Sequence, residues 1–258
     1  MRPKVYEPDT NLGWGLRSWI DMFHALHAHR SMTWMMFRRN FMARYKQTLL
    51  GMGGAFMEPV FVVSSFIILD VIGVWDAGDT GVAFAVYAFM GQALWGVVTS
   101  GINACSMAIP SGGSLVGKIN FPRETLVIAQ LAQVIVDVLI RLIIASAVFI
   151  CCKTVPAWTT VFFPFAILPL MMFTLGIGLL LAFINELVRD IGHYITISLP
   201  FFFFLTPIMY APPEHEWMQK IIACNPFAGL VLPPRDLVLY GRISNPSQFI
   251  WAYILSVV

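Results

Sequence analysis

The sequence predicts an all-α polytopic membrane protein: a six-span helical bundle with its sixth span incomplete, a cytoplasmic amphipathic interface helix and short outer re-entrant helices. Three observations carry that class. Of 258 residues, 58% are apolar and only 12% charged, with a mean hydropathy of +0.76, whereas a soluble domain is about a quarter charged. The apolar residues fall in runs of about 20, long enough to cross about 30 Å of hydrocarbon. Lys and Arg gather on alternate connections between those runs, the pattern left when bases are retained on the cytoplasmic side. A soluble chain of this length would need a charged shell that so few charged residues cannot build. The 16 Lys and Arg nearly balance the 14 Asp and Glu, so no basic footprint for nucleic acid is expected.

The elements follow in order. Residues 1–30 are mixed and polar without the apolar core of a signal peptide, and read as a cytoplasmic N-terminal segment ahead of one membrane domain, 31–258. In 34–49, Trp34, Phe37, Phe41, Tyr45 and Leu49 recur three or four apart on one helical line, with Arg38, Arg39, Arg44 and Lys46 largely off it. Such a helix lies in the cytoplasmic headgroup layer, rings in lipid and bases near phosphates. Complete spans are expected at about 52–75, 84–108, 126–152, 159–187 and 191–212. A sixth starts at Phe249 and reaches only about 15 Å by Val258, so the natural chain is expected to continue.

Orientation comes from the bases. Arg30, Arg38, Arg39, Arg44 and Lys46 precede the first span, Lys118 and Arg123 separate the second from the third, and Arg189 separates the fourth from the fifth. These segments share the cytoplasmic side with the N-terminus. The connection at 76–81 holds two acids and no base, and the next holds only Lys153, so both read as exterior. The long connection 213–248 is exterior too, although it carries Lys220, Arg235 and Arg242. There Trp217, Ile221, Ile222, Phe227, Leu230 and Leu237 alternate with Asn225-Pro226 and Pro233-Pro234. That stretch is too apolar for a plain loop and too broken for a span, which predicts short re-entrant or interfacial helices.

Within the expected spans, Glu58, Asp70, Asp137 and Arg141 need an account, since unpaired charge there costs several kcal/mol. Asp137 and Arg141 are one turn apart and can pair, which favours structural self-neutralisation over the functional role that charge inside a membrane otherwise suggests. Glu58, before Pro59 near the cytoplasmic end, reads as an anchor for the basic helix. The rings number 21 Phe, 8 Trp and 7 Tyr, and the run 201–204 surrounds its helix on all sides. Rings on a pathway would offer apolar faces to a passing solute; Trp95, Phe202, Tyr210 and Trp217 are candidates, against a lipid-facing or belt role. His24, His27 and His29 lack a fourth ligand, so no metal is expected. Gly51, Gly53 and Gly54 do not lead into a Gly-Lys-Ser or Gly-Lys-Thr, so no nucleotide-binding loop is expected in this chain. Cys105, Cys151, Cys152 and Cys224 have no metal spacing and read as free thiols, with a bridge from Cys224 to Cys151 or Cys152 left open.

Five strings in this order and spacing resemble the ABC-2-type permeases that export O-antigens, teichoic acids and related glycans. They are RRNFMARYKQTLLG (38–51) with Glu58-Pro59, INFPRE (119–124), LVRDIGHYI (187–195), FFFFLTPIMYAP (201–212) and Asn225-Pro226. The resemblance covers about 38–235, and departs where Gly53-Gly54 stand in place of a usual Trp. It implies a six-span permease of the bacterial cytoplasmic (inner) membrane, catalytically inert, with no cofactor of its own. Its partners would be a second copy, two ABC ATPase subunits holding ATP and Mg, membrane lipid, and an undecaprenyl-linked glycan as substrate. Lys118, Asn120, Phe121, Pro122, Arg123 and Glu124 would then form a coupling helix on the ATPase, Asn120 capping and Pro122 in the first turn. A plain base-holding loop is the alternative. Arg189 would meet late carbonyls and Asp190 the next helix start, as coupling residues or as a plain anchor. Two other readings stand beside this one. The same architecture serves exporters of drugs or small lipids, and an integral-membrane transferase would need an acid–His cluster for which only scattered His193 and Glu186 offer themselves.

Overall fold

A computed structural model describes residues 30–46, 53–73, 78–111, 124–188, 190–212 and 215–257. Among them are ten α-helices, one 3-10 helix and no strand. We label them α1 (Arg30–Lys46), α2 (Gly53–Val71), α3 (Phe84–Ser106), α4 (Ala108–Ser111), α5 (Glu124–Cys151), α6 (Phe163–Leu187), α7 (Ile191–Leu205), α8 (Glu216–Cys224), α9 (Pro226–Leu239) and α10 (Pro246–Val257), with the 3-10 turn Trp158–Phe162 leading into α6. The result is a polytopic helical bundle. Three stretches, Phe84–Ser106, Thr125–Cys151 and Trp158–Leu187, are long and apolar enough to cross a membrane by themselves.

Helix α3 is the axle. It packs against α2, α5, α6, α7 and α9, and its buried residues run from Val86 to Ser106 on every side. Three glycines permit the close approaches, since small residues let helices in lipid approach closely. A Cβ at Gly91 would strike the Ile208 carbonyl, one at Gly96 the Arg141 guanidinium, and one at Gly101 the Thr174 methyl.

The structure moves several expected boundaries. The fifth span, expected over 191–212, stops as a helix at Leu205. Thr206 is extended (φ −103°, ψ 124°) because it precedes Pro207, whose ring disfavours helical dihedrals on the residue before it. Of the two proline sites expected to break the 213–248 connection, Asn225-Pro226 separates α8 from α9, whereas Pro233 and Pro234 lie inside α9. Asn225 starts that helix by accepting the Phe227 amide on its side chain, with Pro226 at the first helical position. The final helix opens at Pro246, ahead of the expected Phe249. The interface helix, expected over 34–49, runs Arg30–Lys46 and packs along α5. Its seam residue is Met36, 2% exposed among Cys105, Ile109, Leu126 and Val127, with Met32 and Phe37 beside it.

Candidate functional site

The α8–α9 segment is held to the bundle by a buried charge cluster. Arg235 is 2% exposed. Its Nε and Nη2 each donate to Asp236 Oδ1 at 3.1 Å, and its Nη1 donates to the Pro207 carbonyl at 2.8 Å. The guanidinium also faces the Tyr87 ring of α3, and Ser244 donates to the second Asp236 oxygen. A buried ion pair survives only when its remaining donors and acceptors are met, and here the helix break at Thr206-Pro207 supplies the free carbonyl. Further ties run alongside. Tyr87 Oη donates to the Tyr210 carbonyl at 2.9 Å, Asn225 Nδ2 to Thr206 Oγ1 at 2.9 Å, and Gln248 Nε2 to the Ile222 carbonyl at 2.7 Å. Tyr240 donates to the Thr80 carbonyl, and burial pushes its hydroxyl above the usual tyrosine range, keeping it a donor.

At the other end of the bundle, Asn185 ties three helix ends together. Its Nδ2 donates to the Ser106 carbonyl at 3.1 Å and its Oδ1 accepts the Gly192 amide at 2.9 Å. The end of α3, the end of α6 and the start of α7 therefore meet on one buried amide whose nitrogen and oxygen both have backbone partners. Asp190 sits beside this knot, its carbonyl accepting the His193 amide at 3.0 Å.

These features lie in or beside a stretch with a recognisable family signature: residues 32–231, from α1 well into α9, match the ABC-2 type transporter model. The chain belongs to that family. It is 23% identical over 246 residues to an O-antigen export system permease protein RfbA of Myxococcus xanthus, covering 93% of this chain and 92% of the relative. A protein of the same name from Klebsiella pneumoniae is 23% identical over 208 residues, 78% of this chain and 77% of that one. A second Klebsiella pneumoniae protein of that name reaches 30% identity over 95 residues, 34% of this chain and 36% of the relative. This chain is thus a multi-pass permease, a transport subunit rather than a catalytic one. Arg235 and Asp236 fall just past the matched residues.

The residues expected to work in this permease are not all brought together. Lys118, Asn120, Phe121, Pro122, Arg123 and Arg189 lie outside the described residues, as do His24, His27, His29 and the side chains of Arg44, Tyr45, Lys46, Glu58, Asp70 and Glu124. On α1, Trp34 is 64% exposed and Arg38 and Arg39 are exposed, while the Trp34, Phe37 and Phe41 rings follow one another at 5.3 and 5.8 Å. Asp137 and Arg141 are both buried on α5, the guanidinium lying over Gly96. His193 and Glu186 are exposed, and among the described residues no group of His, Cys, Asp or Glu has metal-binding geometry. All four cysteines are free thiols.

The four proposed pathway rings do not form one lining. Trp95 is 3% exposed and packs against Phe203 at 5.9 Å and Phe227 at 5.7 Å. Phe227 also meets Phe202 at 5.2 Å and Phe173 at 5.7 Å, so Trp95 and Phe202 belong to an aromatic core. Tyr210 is half-buried with its hydroxyl on the Phe204 carbonyl, and Trp217 stands exposed on α8. The cause is topological: α3 is enclosed, so a ring there has no free side to offer. Sequence reasoning missed Asn185 and the Arg235–Asp236 cluster. The available signal was an adjacent Arg-Asp inside an apolar stretch, PPRDLVL, where charge is by default functional or paired.

Proposed function

We propose that this permease exports a lipid-linked polysaccharide, O-antigen-like or teichoic-acid-like, across the bacterial cytoplasmic membrane as the membrane half of an ATP-driven machine. The single observation that carries the reading is the near full-length likeness to an O-antigen export permease, 93% of this chain against 92% of the relative. Two cytoplasmic ATPase subunits would bind ATP and Mg, and an undecaprenyl carrier would bring the glycan. The N-terminus lies inside, with 118–124, Arg189 and Asp190 facing the ATPase and 213–248 facing out. The alternation of bases between spans supports that orientation.

A second copy of the chain completes the pathway. The support is an unpartnered apolar face on α7, where Tyr194, Ile197, Phe201 and Phe204 stand exposed at helical spacing, and another on α2 with Phe61, Ile68 and Val71. Those rings, rather than Trp95, are positioned to meet a glycan or a partner helix.

Coupling is tested by the double substitution Arg123→Ala with Glu124→Ala. Surface polysaccharide should be lost while the permease still accumulates in the membrane with its ATPase. Normal export by that variant would remove 118–124 from the mechanism. A strain lacking the permease that still displays all its surface glycans would remove the polysaccharide reading itself.

A further inference from the structure

We propose that the groove between α5 and α6 binds one anionic phospholipid, an acyl chain against its apolar wall and the phosphate on Lys153. The cavity measures about 610 Å³ and is walled by Met90, Leu142, Ala145, Phe149, Phe163 and Val238, a volume in the ordinary range for a small-molecule site. Ile150 and Val155, both exposed, border it, so it opens on the flank of two helices apolar enough to span a membrane. There the surrounding solvent is hydrocarbon. The rim changes character where α5 ends: Lys153, Thr154 and Thr160 stand at one end of an otherwise apolar trough. A lysine at the end of a span reaches headgroup depth, where phosphates lie. Lys153 makes no ion pair with any described residue, so the anion it complements is not supplied by those residues.

The backbone gives an independent indication. Helix α5 closes with the Thr154 amide donating to the Phe149 carbonyl and the Lys153 amide to the Ile150 carbonyl, both at 3.1 Å. This double-bonded stop places a left-handed residue that is usually glycine. Lys153 occupies it at φ 52°, the only non-glycine residue with positive φ among those described. A side chain held where glycine fits more readily points to a use for that side chain. Length selects the occupant. From Leu142 to Lys153 the wall rises roughly 16 Å at about 1.5 Å per residue, close to one leaflet of hydrocarbon at about 15 Å. An acyl chain matches that span; a long polyprenyl chain would overrun it.

The test is native mass spectrometry of the purified full-chain permease titrated with phosphatidylglycerol or phosphatidylcholine. Wild type should retain one phosphatidylglycerol per chain and far less phosphatidylcholine. Lys153→Gly should weaken retention about fivefold, the size of one base at an anionic headgroup, with the melting temperature unchanged or raised because glycine suits the stop. Ser146→Trp, filling the trough from an exposed position, should abolish retention. Equal retention of both lipids, or wild-type retention by both variants, would overturn the site. Displacement of phosphatidylglycerol by a polyprenyl phosphate at equal concentration would overturn the phospholipid in favour of the carrier. The leaflet alone rests on the orientation proposed above, and labelling Lys153→Cys from outside intact cells reports that orientation separately.

Discussion

The Arg235 guanidinium carbon of α9 lies over the ring of Tyr87 on the central helix α3, 4.2 Å from its centre. A cation over an aromatic face in a desolvated site is attracted by the ring quadrupole, by about 2 kcal/mol or more. With Asp236 neutralising it and Pro207 accepting from it, Arg235 makes α9 part of the bundle rather than a flap on it. Helix α8 is held differently, through α9 and the Gln248 bond to Ile222, with Trp217 and Ile221 exposed. The segment therefore divides at Asn225 into a fixed half and a lightly held half.

Arg235→Met should cost about 3–5 kcal/mol of stability, because it leaves the Asp236 carboxylate buried without its cation. Arg235→Met with Asp236→Leu should recover much of that loss, since replacing both charges removes the orphan. Thermal unfolding in detergent measures both. A single variant no less stable than the exposed-site control Arg242→Met would show that the cluster does not hold α9.

Gly91→Ala and Gly176→Ala separate close approach from helix propensity. A Cβ at Gly91 would stand 2.5 Å from the Ile208 carbonyl oxygen, a backbone atom with no rotamer to yield, whereas Gly176 has open space. The first should destabilise by about 1–3 kcal/mol. The second should be neutral or stabilising by up to about 1 kcal/mol. Similar melting temperatures for the two would show that α3 and the turn after α7 are not tightly packed.

Much of the bundle was legible before any coordinates. The runs 84–108, 126–152 and 159–187 became helices over Phe84–Ser106, Glu124–Cys151 and Trp158–Leu187, because an apolar run bounded by charge or Pro has one solution in lipid. The end of the fifth span was not, since its apolar run continues to Pro212 and only Pro207 stops it. Arg235 read as an ordinary exterior base because composition does not report burial, and the partners beyond its neighbour Asp236 lie 28 residues back at Pro207 and far earlier at Tyr87. Trp95 read as a pathway ring because periodicity gives a face and not what covers it.

Asn185→Leu should unfasten the knot at the ends of α3, α6 and α7. The Gly192 amide would lose its acceptor in a buried place, at a cost of about 1–3 kcal/mol. Asn185→Ala should behave alike, because it removes the same acceptor. If the neighbouring Asp190 transmits ATPase movement, export should fall more steeply than the amount of folded permease. Assaying surface glycan against membrane-extracted protein in the same cells gives that comparison. Export that tracks protein amount alone assigns Asn185 to stability only.

The free thiols decide the orientation on which the cytoplasmic and exterior assignments depend. Cys224 is exposed at the end of α8, and Cys105 is fully buried between α3 and α6. A membrane-impermeant maleimide added to cells with a permeable outer barrier should modify Cys224 without opening the cytoplasmic membrane. Cys105 should react only after denaturation, since a thiol sealed in packed apolar surroundings is inaccessible to the reagent. A Cys224→Ser variant identifies which thiol carries the label. Should Cys224 react only after permeabilisation, α8 and α9 face the cytoplasm. The bases at Arg38, Arg39, Lys118 and Arg123 would then lie outside, against the retention that ordinarily keeps them in, and the coupling role of 118–124 would fall with the orientation.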